Sequence, residues 1–213
     1  MEPAHAGQYF EPHPDVASRP HTVRLTLPDL TCDLTADRGV FSAHAVDEGT
    51  RYLLGAGPPL PDGAANLVDL GCGYGPIAVA LARRAPDATV WALDVNERAV
   101  ALTRANAEAN GLANVTARVV SDDPVESVAA LPADVGIDAL WSNPPIRIGK
   151  AALHALLGAW LERLAPHGEA CLVVHKHLGA DSLTTWLNRS GWPTTRLGSR
   201  GGYRILRVTR PPA

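Results

Sequence analysis

The segment Val68-Asp69-Leu70-Gly71-Cys72-Gly73-Tyr74-Gly75-Pro76 decides the fold: an apolar run containing an acid ends in three glycines separated by single residues, with a proline directly after the last. Glycines in such a turn let the backbone reverse tightly and let a ligand approach the main chain, so the pattern predicts a strand, a ligand-binding turn and a helix. Outward from it, short apolar runs alternate with helical stretches. Strands are expected at 66–70, 89–94, 115–120, 137–142 and 169–174, and helices at 76–84, 96–110, 150–164 and 181–190. Near-continuous apolar strands separated by helices imply an α/β fold, with a mostly parallel sheet covered on both faces and doubly wound through right-handed crossovers. Residues 194–197 and 203–209, joined by a glycine-containing stretch, add a C-terminal hairpin at one edge.

Before the glycine turn, residues 1–20 carry four prolines and no periodicity, which reads as an arm over the surface. Residues 22–27 and 30–35 alternate apolar and polar around Pro28-Asp29, the pattern of a small β-hairpin lobe. Gly39-Val40-Phe41-Ser42 and a short helix over 47–54 come next, and the Gly-Pro-rich run 55–63 ends this part. The expectation is one domain, with arm, hairpin and cover over 1–63 and a Rossmann-like core over 64–213. A chain of 213 residues with 46% apolar content can bury a core without disulfides, and that composition excludes disorder. Cys32, Cys72 and Cys171 lie far apart and read as reduced thiols. His175-Lys176-His177 lacks a third ligand nearby, so no metal is expected. Nothing resembles a secretory leader or a run of about 18 apolar residues, so the reading is a cytoplasmic protein with no membrane association. The oligomeric state is not legible.

The net charge of −3 conceals an asymmetry. Residues 1–140 hold 9 basic and 19 acidic side chains, whereas 141–213 hold 10 and 3. Such a division is a prior for an anionic partner on the C-terminal part.

Asp94 falls 19 positions past Gly75 at the tip of the next expected strand, placed to accept from a ribose diol. Two features argue against a dinucleotide. The spacing is G-x-G-x-G, with Pro76 removing an N–H that a phosphate would want, and Asp69 suits a cationic ligand better than a diphosphate. Farther along, Ser142-Asn143-Pro144-Pro145-Ile146 comes after the fourth strand of the core. Consecutive prolines fix the backbone and remove donors. An Asn side-chain oxygen beside a Pro carbonyl then forms a rigid acceptor pair, able to hold both hydrogens of an amine and aim its lone pair at an electrophile.

These features together resemble the class I methyltransferases that use S-adenosylmethionine. In order, Gly39-Val40-Phe41-Ser42, Val46-Asp47-Glu48-Gly49-Thr50, the glycine turn, Asn143 to Ile146 and Gly201-Gly202-Tyr203-Arg204 resemble the methyltransferase small-domain family, which is similar to the catalytic domain of ribosomal RNA guanine 2-amino methyltransferases. The resemblance implies a sheet of about seven strands with the last antiparallel, and cofactor contacts from Asp69, Gly71, Gly73, Gly75, Asp94, Asn143 and an acid after the third strand. Asp123 is favoured over Asp122 for the adenine amino group. It also implies amine positioning by Asn143, Pro144 and Pro145, with Phe41, Ser42 and Thr50 near the mouth of the site.

Ile146 stands where adenine and glutamine methyltransferases generally carry an aromatic ring, so stacking would come from Phe41, Tyr203, Tyr9 or Phe10. Arg147 and Lys150 flank the tetrapeptide, and Arg196, Arg200 and Arg204 surround the last glycine turn, a set suited to RNA phosphates. The substrate reading is ribosomal RNA, with a protein glutamine or a small amine as the alternative. The chain is too short for the additional N-terminal domain of many bacterial ribosomal enzymes, and is expected to resemble the stand-alone members.

Overall fold

The computed structural model describes residues 12–13 and 15–211, so Tyr9 and Phe10 lie outside the described residues. The chain runs β1 (His21–Thr26), β2 (Thr31–Ala36), α1 (Glu48–Ala56), β3 (Asn66–Leu70), α2 (Pro76–Arg84), β4 (Thr89–Asp94), α3 (Glu97–Ala109) and β5 (Val115–Val119). It continues through α4 (Pro124–Ser127), β6 (Ile137–Ser142), α5 (Lys150–Leu161), β7 (Leu164–His175), α6 (Ala180–Arg189), β8 (Thr194–Arg200) and β9 (Tyr203–Thr209). Element ends obey local chemistry. Asp47 caps α1 by accepting from Thr50 N, Asn96 caps α3 by accepting from Ala99 N, and Pro76 occupies the first turn of α2.

Seven strands form one mixed sheet in the order β5-β4-β3-β6-β7-β9-β8. The first five are parallel to one another, while β9 runs antiparallel to both β7 and β8. Both faces are covered, which is why the strands read as continuous apolar runs. On β7, Cys171 and Val173 face the α1–α3 side, and Ala170, Leu172 and Val174 face α5 and α6. β7 begins at Leu164, earlier than the apolar run at 169–174 suggests, because Leu164 pairs with Ile137 ahead of an irregularity in the β6–β7 register.

The hairpin β1–β2 forms its own two-stranded sheet, yet it is not set apart from the core. Leu25, Leu34 and Ala36 join the same buried cluster as α2 and α3. A buried amide helps tie them. Asn106 on α3 is 2% exposed, accepts from Thr35 N at 2.7 Å, and donates to Thr35 O at 2.9 Å and Tyr74 O at 2.7 Å. Removing it leaves several buried polar groups unpaired, each costing about 1–3 kcal/mol. Asn106→Ala is therefore expected to lower the unfolding free energy by about 2–4 kcal/mol in a urea titration; a loss within about 0.5 kcal/mol would contradict this accounting.

Candidate functional site

Strand order reverses between β3 and β6, so the chain leaves their carboxyl ends in different directions and opens a crevice there. The crevice walls are stitched by short bonds. Ser142 Oγ donates to Leu70 O at 2.6 Å, and Gly71 N and Cys72 N donate to Leu93 O at 2.8 and 3.0 Å.

The three glycines of the turn do different work. All have positive φ, but a Cβ on Gly71 or Gly73 would meet nothing within 4 Å, whereas one on Gly75 would come within 2.9 Å of Thr103 Oγ1. Gly71 and Gly73 therefore leave open space in the crevice, and Gly75 permits close packing of α2 against α3. Asp94 braces the turn: one oxygen accepts from Gly73 N at 2.9 Å and the other from Asn96 N at 3.0 Å. Burial raises its pKa, and those N–H groups hold it down.

A cavity of about 610 Å³ lies over this turn, lined by Gly71, Gly73, Asp94, Asp122 and the Asn143-Pro144-Pro145 segment. Its remaining walls are mostly apolar, among them Val40, Val95, Ile148 and the face of α5 that carries Ala151, Ala152, Ala155 and Leu156. That small-residue face is the one signal by which sequence could have assigned α5 to the site. Of the two acids after β5, it is Asp122 that borders the cavity. Asp123 accepts from Val125 N and Glu126 N at 2.8 and 2.9 Å, capping α4, while Asp122 lines the cavity. Asp69 and Gly75 do not line it. The open floor over two glycines and the acids at the β4 and β5 tips fit a nucleoside-bearing cofactor.

A second cavity of about 540 Å³ lies on the other side, lined by Phe41, Ser42, Asp47, Ile146, Arg147, His175 and Tyr203 among others. Phe41, Asn143 and Pro144 are the residues common to both cavities. The Pro144 carbonyl is less free than expected. It accepts from Ile146 N at 2.8 Å, closing an inverse γ-turn on Pro145 (φ −74°, ψ 70°), and keeps one lone pair for a further donor. Phe41 is 43% exposed and sits beside Ser42, which adopts φ 52° in the turn that brings the ring to the mouth.

The basic residues divide: Lys176, Arg196, Arg200 and Arg204 line one groove, while others are bonded within the protein. Arg204 pairs with Asp181, Arg207 bonds Glu169 at 2.7 Å, Arg163 donates to the carbonyls of Val128, Pro132 and Val135, and Arg210 donates to the Leu164 carbonyl. Lys150, at the start of α5, lines neither cavity. Arg147 borders the second cavity, and Arg200, Arg196 and Lys176 border a groove that also includes Tyr203.

Asp69 lies beneath the turn, fully buried, and accepts from Ala78 N at 2.9 Å, supplying the cap that Gly75 cannot. Burial pushes its pKa up to about 8, with Asp94 adding to the rise. The native state then holds a proton that an unfolded carboxylate releases near pH 4, so this group's contribution to stability falls as pH rises from about 4 to about 8. Asp69→Asn keeps an oxygen for Ala78 and removes the titration. Its urea midpoint, relative to wild type, is expected to climb between about pH 5 and pH 8; a constant difference across that range would refute the assignment.

Residues 31–207 match the methyltransferase small domain family. An uncharacterized protein of Bacillus subtilis (strain 168), YbxB, is 35% identical over 202 residues, covering 95% of this chain and 98% of its own length. Ribosomal RNA small subunit methyltransferase C of Pseudomonas aeruginosa (strain LESB58) is 33% identical over 201 residues, 92% of this chain, which spans only 57% of that relative. Among solved structures, the Thermus thermophilus 16S rRNA N2 G1207 methyltransferase in complex with AdoMet and guanosine aligns with a TM-score of 0.71 at 25% identity, over 92% of this chain and 52% of its own. With a sheet, a glycine turn and an Asn-Pro-Pro wall in these places, the chain belongs to the methyltransferase small domain family.

Proposed function

We propose that the protein is an S-adenosylmethionine-dependent N-methyltransferase acting on the exocyclic 2-amino group of a guanine in ribosomal RNA, and that it works in the cytoplasm. One observation carries the reading: the cavity over the glycine turn and the cavity bearing Tyr203 and Arg147 share the wall formed by Phe41, Asn143 and Pro144. A donor in one and an acceptor in the other would meet at the Asn143 side chain. The 16S rRNA guanine specificity of the Thermus relative and the names of the ribosomal RNA relatives support the choice of acceptor.

Gly71 and Gly73 would lie under the cofactor, Asp94 would accept from its ribose, and Asp122, in place of Asp123, would face its adenine. Bound S-adenosylmethionine supplies an electrophilic methyl group on a sulfonium. Asn143 Oδ1 and the remaining lone pair of the Pro144 carbonyl hold the two amine hydrogens, turning the nitrogen lone pair away from the ring system and toward the first cavity. No strong base is needed: the nitrogen becomes acidic only as the new N–C bond forms and the C–S bond of the sulfonium breaks, and its surplus proton then leaves past the Asn143 and Pro144 acceptors to water. Phe41 offers a ring in place of the aromatic residue that Ile146 replaces. Arg147, with Arg200 beyond it, would meet the phosphates of the substrate.

Asn143→Ala is expected to retain S-adenosylhomocysteine affinity in calorimetry within about threefold, and to lose methyl transfer by about 10²-fold or more. The assay uses labelled cofactor with fractionated RNA and protein from cells lacking the enzyme, with nucleoside mass spectrometry as the readout. Label on N2-methylguanosine supports the proposal. Label that resists ribonuclease and tracks with protein or small amines would replace the acceptor.

A further inference from the structure

Both amide hydrogens of Asn143 are already engaged within the protein. Its Nδ2 donates to Asp47 Oδ2 at 2.9 Å and to Thr50 Oγ1 at 3.1 Å. An amide nitrogen has two hydrogens to give and nothing to accept with, so Oδ1 alone remains for the two cavities. The flipped amide would set an oxygen against a carboxylate, two acceptors face to face, which the network forbids.

Asp47 is held in turn. The backbone N–H of Thr50, a donor whose polarity cannot change, gives to the same Oδ2 at 3.0 Å, and Tyr203 lies with its hydroxyl 3.4 Å from Oδ1. The Tyr203 ring packs edge-on against His175 with centroids 4.9 Å apart, and over Gly49, where a Cβ would fall within 2.6 Å of ring carbons. Burial and the neighbouring Asp47 raise the Tyr203 pKa, so its hydroxyl stays protonated and donates. The order of donors and acceptors therefore runs without a gap from the backbone of α1 to the Asn143 oxygen.

We propose that Asp47 is a positioning residue for methyl transfer: by taking one Asn143 hydrogen, while Thr50 takes the other, it fixes the amide with Oδ1 toward the incoming amine. The proposal rests on the reading of Asn143 as the amine holder. Asp47 touches neither the cofactor nor the reacting nitrogen in this role; it acts through Asn143. The competing view is that Asp47 only caps α1.

Two substitutions separate these roles. Serine is a good N-cap and would still accept from Thr50 N, but it is too short to reach Asn143. Asparagine keeps an oxygen that the Thr50 N–H holds in place, so it can serve both. With labelled cofactor and RNA and protein fractions from cells lacking the enzyme, Asp47→Ser is expected to lower kcat about 10²-fold, with KM and cofactor affinity near wild type. Asp47→Asn restores most of the rate, and Thr50→Val, which loses one acceptor but keeps its backbone donor, falls between. The double variant Asp47→Ser with Asn143→Ala is no slower than Asn143→Ala alone. Equal kcat for the Ser and Asn variants, or additive losses in the double variant, would overturn the proposal. If Asn143→Ala itself transfers normally, the underlying reading of the site fails instead.

Discussion

The whole site depends on β3 and β6 lying side by side in parallel, with Val68 opposite Leu140 and Asp69 opposite Trp141, while the chain departs from their ends in different directions. Two strand tips are thereby brought together from segments 72 residues apart, and the Ser142 hydroxyl bonded to the Leu70 carbonyl closes the seam. The glycine turn leaves from one tip and Asn143-Pro144-Pro145 from the other. Neither segment could form a two-sided wall alone. The apolar sequence of the strands does more than fill a core, because it fixes the distance between the two pieces of backbone that wall the crevice.

Much of this is legible in the residues because local rules and tertiary placement agree. Three glycines with a proline behind them can serve few purposes after an apolar run, and the place of Asp94 at the next tip is set by strand length. The division of labour among the glycines is not legible, since Gly75 is distinguished only by Thr103, a residue 28 positions away that meets it across two helices. The acids after β5 show the opposite failure. Asp122 and Asp123 are equivalent in sequence, and only the start of α4 decides which oxygen is spent on backbone N–H groups and which faces the cavity.

The charge division is a more instructive case. A surplus of cations after residue 140 suggests one basic face, yet several of those arginines are consumed inside the fold, bridging Asp181 and Glu169 or gathering carbonyls at helix ends. A charge sum counts these together with Arg147 and Arg200, although a guanidinium already bonded inside the protein offers little to a polyanion. Sequence gives the number of cations; packing decides how many remain available. Asp47 illustrates the same limit from the other direction. It reads as a helix cap and is one, but a carboxylate oxygen has room for two donors, and the second comes from 96 residues away.

Asn106 binds the second hairpin strand and the glycine turn to α3 through a single amide, so the Gly-Pro run after α1 marks no mechanical boundary. A truncated chain beginning after that run would carry the glycine turn, Asp94, Asp122 and Asn143-Pro144-Pro145, though not Asp47. It would also have an Asn106 amide stripped of both Thr35 partners, a bare patch where Leu25 and Leu34 had been, and no Gly39 carbonyl for Asn96 to hold. The hairpin is thus a rear support of the glycine turn, reached through Asn106.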